Sequence, residues 1–118
     1  MFEYHCWAVV MTDGLEAERA LGEALEGQIA ARSEASRESF HLTRLNEVHV
    51  IASGLRNHYC GEVLDVFEWL AEQCPGCYGL MDVRGEHPDE DGSYRFKVRK
   101  ISRGTIEYLE DRYFIDTP

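Results

Sequence analysis

The stretch from Gly54 to Leu80, GLRNHYCGEVLDVFEWLAEQCPGCYGL, carries the pattern that most restricts the fold. Val63, Val66, Phe67, Leu70, Ala71 and Cys74 recur at three- and four-residue steps. At about 100° per residue they gather on one stripe of a helix, and that stripe has to face a core. Glu62, Asp65, Trp69 and Glu72 follow the same steps on the opposite ridge, so three carboxylates share it with an indole. An indole left in water forgoes roughly 2–3 kcal/mol of burial, and tryptophan is among the residues that most often anchor interfaces. Trp69 is therefore either an interface anchor or a ring leaning on a neighbouring strand or loop.

A chain of 118 residues is one domain, 1–118, large enough to bury a core without metal or disulfide help. Its 22 Asp and Glu outnumber 12 Lys and Arg, for a formal charge of −10. That balance disfavours a nucleic-acid surface and favours basic partners, a protein that itself binds nucleic acid among them. No stretch approaches the ~18 apolar residues of a membrane span, and no basic-led apolar run opens the chain, so a cytoplasmic location is expected. Cys6, Cys60, Cys74 and Cys77 are then expected to be reduced. Cys74-Pro75-Gly76-Cys77 has the spacing of a thiol redox motif. However, it follows the last turn of the helix, where the dipole opposes a thiolate, and Pro75-Gly76 reads as a helix stop and turn. Zinc would need a second regularly spaced ligand pair beyond His58 and Cys60.

Along the chain, Phe2 to Met11 forms a first strand, expected to be buried on both sides because apolar residues fall on both faces. Asp13, followed by Glu16 three residues later, is expected to cap a helix with Ala17, Leu21, Leu25 and Ile29 on its stripe, running to about Ala31. Ser33 to Ser39 is polar and reads as a loop. Phe40 to Leu55 alternates as a hairpin with Asn46 and Glu47 between its strands. After the second helix, YGLMDVRG is a strand. The turn Pro88-Asp89-Glu90-Asp91-Gly92 then leads to an alternating strand, with Tyr94, Phe96 and Val98 expected on the buried face and Arg95, Lys97 and Arg99 outward. The segment from Ser102 packs back as a strand or irregular arm. The fold class is α+β, with two helices on one face of a mainly antiparallel sheet in the order β-α-β-β-α-β-β, a split βαβ, ferredoxin-like arrangement.

Among five histidines only His58 has a site-like position, in Asn57-His58 at the loop feeding the second helix. His5, His41 and His49 fall on strands, and His87 sits in a charged turn. Asp89-Glu90-Asp91-Gly92 lacks the later bidentate Glu of an EF-hand, and no Gly-rich phosphate loop occurs. The row Arg95, Lys97, Arg99 answers neighbouring acids or blunts an edge strand.

Gly54-Leu55-Arg56-Asn57-His58, the helix VLDVFEWLAEQCPG, the exit Tyr78-Gly79-Leu80-Met81-Asp82-Val83-Arg84, the opening Phe2-Glu3-Tyr4-His5-Cys6-Trp7 and the pair Arg103-Gly104 together resemble the immunity protein 7 family of bacterial polymorphic toxin systems. Cys6 stands where the family pattern usually has glycine, and Cys77 where it has a small residue such as serine. The resemblance implies an α+β protein, without cofactor, that binds and neutralises a cognate toxin in contact-dependent competition and catalyses nothing. Toxins of these systems are often nucleases with basic clefts, which an acidic inhibitor would be steered to and could occupy. Helical spacing places Glu62, Asp65, Trp69 and Glu72, with Asn57 and His58 adjoining, as contact residues. Glu107, Glu110 and Asp111 form a competing acidic patch, and Tyr59 or Tyr108 could add anchoring. Two other classes stay open: a thiol or metal protein built on Cys74, Cys77, Cys60 and His58, and a homodimer that associates through Trp69.

Overall fold

Phe2, Tyr4, Cys6, Ala8 and Val10 are all buried, and the residues between them, Val9 apart, are not. That alternation makes Phe2–Val10 (β1) a strand with one covered face. The covering layer comes from the helix Leu15–Ala30 (α1), which contributes Leu25, and the helix Glu62–Gln73 (α3), which contributes Val63, Leu64, Val66, Phe67, Leu70 and Ala71. Between them lie a five-residue helix, Glu34–Glu38 (α2), and the strands Phe40–Thr43 (β2) and Val48–Arg56 (β3). Tyr78–Arg84 (β4), Lys97–Ser102 (β5) and Thr105–Glu110 (β6) complete a six-stranded sheet in the order β2-β3-β1-β4-β5-β6, every neighbouring pair antiparallel. The computed structural model describes residues 1–44 and 47–114; Asn46 of the expected hairpin turn lies outside them. No helix among the described residues is long and apolar enough to cross a membrane.

The α+β class and the antiparallel sheet agree with the sequence, and several particulars differ. Strand β1 is covered on one side only: His5 and Trp7 are exposed on the other, because all the core-forming helices pack against the even-numbered residues. Apolar residues on both faces of a strand do not by themselves mean two covering layers. Ser33–Ser39 is not a loop but holds α2, tied down through buried Ser36. Residues after Ser102 form a full strand, β6, joined to β5 by Arg103-Gly104. Both of these residues have positive φ (54° and 76°), as a two-residue I′ hairpin turn requires. The order therefore gains a helix and a strand, β-α-α-β-β-α-β-β-β.

The alternation after the acidic turn has the opposite phase to the one expected. Regular pairing starts at Lys97, and Arg99 and Ile101 are the buried residues of β5. Tyr94 is exposed, while Phe96 and Val98 are half-buried. Ion pairing to Glu86 is what lets an arginine take the covered face. Asp13 does not cap α1. Gly14, at φ 125°, is the cap residue, and the first turn is instead tied to the sheet by Glu18, whose carboxylate accepts the Val48 amide at 3.1 Å.

Candidate partner-binding site

Helix α3 is fixed at its start by Glu62. Its carboxylate accepts hydrogen bonds from the Ser33 hydroxyl, from the Ser36 hydroxyl at 2.6 Å and from the Ser33 amide at 3.2 Å, with the Cys60 thiol at 3.6 Å. Donation from Ser33 and Ser36 holds its pKa down at about 2. The side chain thus bolts the first turn of α3 to α2, and it is spoken for within the fold. Arg56 also donates to Ser36 Oγ, at 3.1 Å, which ties β3 into the same knot.

Beyond that turn, Asp65 and Glu72 are exposed, and Glu68 and Trp69 are half-buried. Trp69 packs against the edge of the core, so its ring is only partly offered to solvent. None of Asp65, Glu68 and Glu72 has an ion-pair partner among the described residues. Burial and the charges of Asp65, Glu86 and Glu72 push the Glu68 carboxyl above its ordinary range, opposed by Arg99. The upward shift comes first from burial, and the neighbouring carboxylates add to it against the Arg99 charge.

Arg99, with 9% of its side chain exposed, sits beside that strip. It donates to Glu86, and its guanidinium carbon lies 5.3 Å from the centre of the Tyr108 ring. Burial alone would raise the Glu86 carboxyl, but the Arg99 hydrogen bond and charge carry it below its usual value. Tyr59 also hydrogen-bonds Glu86 and stacks edge-on against Phe2, at 5.0 Å between ring centres. Burial, followed by that carboxylate, raises the Tyr59 phenol.

Asn57 and His58 are exposed on the turn between β3 and α3 and line a groove of about 640 Å³ together with Glu38, Leu55, Tyr59 and Cys60. That groove does not include Asp65, Trp69 or Glu72, so the expected contact residues form two neighbouring sets rather than one ridge. The second acidic patch also divides. Glu107 lies 3.7 Å from Lys100 across the β5–β6 pair, whereas Glu110 and Asp111 line a groove of about 450 Å³ with Asp89, Glu90 and Asp91. Within that groove Asp89 pairs with Lys97 and Asp91 with Arg95 at 2.9 Å. Sequence reasoning missed Glu68, Glu86 and Arg99 as parts of this region. Glu68 is one residue off the ridge spacing, and the Arg99–Glu86 pair joins positions whose meeting depends on how the β4–β5 connection folds back.

The four thiols are unpaired. Cys74 donates to the Met11 carbonyl at 3.2 Å, and burial, then Cys74, pushes the Cys77 thiol up to about 12. At neutral pH such a thiol is protonated, and Cys77 is not an activated nucleophile. No group of three or more His, Cys, Asp or Glu side chains among the described residues converges in a way that could hold a metal ion.

The region combines an acidic helix flank, on which Asp65, Glu68 and Glu72 form no ion pair among the described residues, aromatic rings beside it, and a shallow polar groove at its N-terminal end. No curated protein and no solved structure matches the chain. The family model for Immunity protein 7 matches residues 1–116, essentially the whole length, and the chain belongs to that family of immunity proteins, whose partner is a toxin.

Proposed function

We propose that this immunity protein neutralises its toxin by binding alone, laying the outer flank of α3 over a basic substrate cleft of nuclease type. The observation that carries the reading is the set Asp65, Glu68 and Glu72, three carboxylates on one helix that form no ion pair among the described residues. Several acids elsewhere are matched, Glu3 with Arg84, Glu26 with Arg44, Glu86 with Arg99 and Asp89 with Lys97. A cleft built to hold a phosphate backbone presents lysines and arginines that such a strip can engage, with the acids setting the association rate. Trp69 and Tyr59 supply apolar contact beside them. Asn57 and His58 extend the contact past the start of α3, and Glu110 and Asp111 form a second acidic surface at the end of β6. Glu62 serves the fold rather than the partner. Attraction to the strip does not require catalysis, and occlusion of the cleft suffices for protection.

The test is co-expression with the toxic domain encoded immediately upstream, followed by size exclusion of the pair. Survival with a co-eluting complex is the expected result. Cell death despite soluble, folded protein would overturn the assignment for that toxin.

A further inference from the structure

Strand β6 is the last of the six in the sheet, so its far edge has no neighbouring strand. In an antiparallel ladder, pairs that exchange both backbone hydrogen bonds alternate with pairs that exchange none. Counting from Ser102 and Thr105, the pair that closes the two-residue turn, Glu107 and Leu109 direct their amides and carbonyls to β5. Ile106, Tyr108 and Glu110 therefore aim theirs outward. A bond at the other end of the sheet fixes the same phase. The Ser53 amide donates to the Ser39 carbonyl, on the β2 side. Carried through the pairs Ser53 with His5, His5 with Asp82, Asp82 with Val98 and Val98 with Leu109, that direction turns the Leu109 backbone toward β5. No hydrogen bond among the described residues reaches the three outward amides or carbonyls. The edge also lacks the usual guards, with no proline, lysine or arginine within Thr105–Glu110 and an unbroken register against β5. Such an edge is a template for one more strand.

We infer that β6 receives an extended, basic segment of the toxin as a seventh strand of the sheet, paired through Ile106, Tyr108 and Glu110. The occupant is the toxin drawn to the α3 flank, so the assignment rests on that reading and supplies its docking mode. Charge and position select this occupant. Within the paired stretch β6 carries Glu107 and Glu110 and no cation; Arg103 and Arg112 lie outside it. Helix α3 packs against β6, and Arg99 joins the two, its guanidinium carbon 5.3 Å from the centre of the Tyr108 ring and the Glu68 carboxylate within its field. Tyr108, opposite Arg99, stands on the helix side of the sheet and is 68% exposed. Every second side chain of an added strand would lie on that same side, where lysines or arginines meet Glu110 and the acidic flank of α3. A second copy fits less well, because it would set two Glu107 and two Glu110 side chains along one seam. The opposite edge of the sheet, β2, is four residues long and borders Arg37 and Arg44, which repel a basic segment.

Amide hydrogen exchange read by NMR, on the free protein and on its complex with the purified toxic domain encoded immediately upstream, tests this. In the free protein the amides of Ile106, Tyr108 and Glu110 should exchange quickly and those of Glu107 and Leu109 slowly. In the complex the first three should slow by about a hundredfold or more. Tyr108→Pro removes an outward N–H without removing a bond to β5, whereas Tyr108→Ala removes only the ring. Proline should weaken the complex about tenfold or more beyond alanine, with circular dichroism unchanged in both. The exchange measurement needs no variant, so it decides even where the proline protein does not fold. Three amides that stay fast in the complex would overturn the inference. So would amides that slow only as the free protein is concentrated, since another copy would then be the occupant. Resonances of Asp65 and Glu72 that shift in that complex while β6 stays fast would leave the proposed function standing without the added strand. Protection of β6 in a complex that Asp65→Lys/Glu72→Lys does not weaken would support the strand and overturn the role of the flank.

Discussion

Glu62→Gln isolates what the charge at the start of α3 contributes. The substitution keeps the shape and one acceptor oxygen but removes the negative charge that receives Ser33, Ser36 and the Ser33 amide. The folded carboxyl sits at about 2 against an ordinary 4.5, a difference worth about 3 kcal/mol at full linkage. Solvent reaches the group, so screening reduces that to about 1–2 kcal/mol. For a domain of this size the corresponding fall in Tm is roughly 5–10 °C. The sign in pH follows from a folded pKa below the unfolded one. The contribution is complete above pH ~4.5 and disappears as pH falls from there toward 2. Urea melts of wild type and Glu62→Gln, taken at neutral pH and in steps down through that window, should show a gap that closes on the acid side. Ser36→Ala should lose much of the same energy, and the double variant should cost less than the two singles together. A neutral-pH gap near zero, or one that stays constant through the acid window, would refute the assignment of Glu62 to the fold.

Two further outcomes follow from other parts of the molecule. Arg99→Ala strands the Glu86 carboxylate and removes the cation beside Tyr108, and should cost about 2–4 kcal/mol in a urea melt; Glu86→Gln, which leaves the arginine a neutral acceptor, should cost less. Cys77, buried and with its thiol pushed up to about 12, should resist an aromatic disulfide reagent at neutral pH in the native protein and react once the chain is unfolded. Fast labelling of Cys77 in the native state would show an activated thiol and revive the redox reading.

The parts of this fold legible in the sequence are those decided by local periodicity. The α3 stripe is buried as its spacing requires, and α1 ends within one residue of where it was expected. Alternation alone, however, could not tell which set of β5 residues faces the helices. The covered face goes to Arg99 because Glu86, thirteen residues earlier, neutralises it there, and no count along the strand contains that pairing. Strand β1 misled for a related reason. Trp7 looked buried because it is apolar, yet a sheet face remains open unless a second layer covers it, and both helices follow the stronger pattern of Phe2, Tyr4, Cys6 and Ala8. At the candidate site, the exposure of Asp65 and Glu72 followed directly from helical spacing. The internal role of Glu62 did not, because Ser33 and Ser36 belong to a segment read as a loop, and only its folding into α2 brings their hydroxyls to the carboxylate.

The central claim is that the α3 flank meets the toxin by charge. Its most direct test is the association rate of the purified toxin domain with wild type and with Asp65→Lys/Glu72→Lys, measured by stopped flow across a salt series. Both positions are exposed and outside the core, so the double variant should fold. Reversing them should slow association by about tenfold or more at low salt, with the difference shrinking as salt screens the field. Equal rates and equal salt slopes for the two proteins would contradict the account and place the toxin on another face.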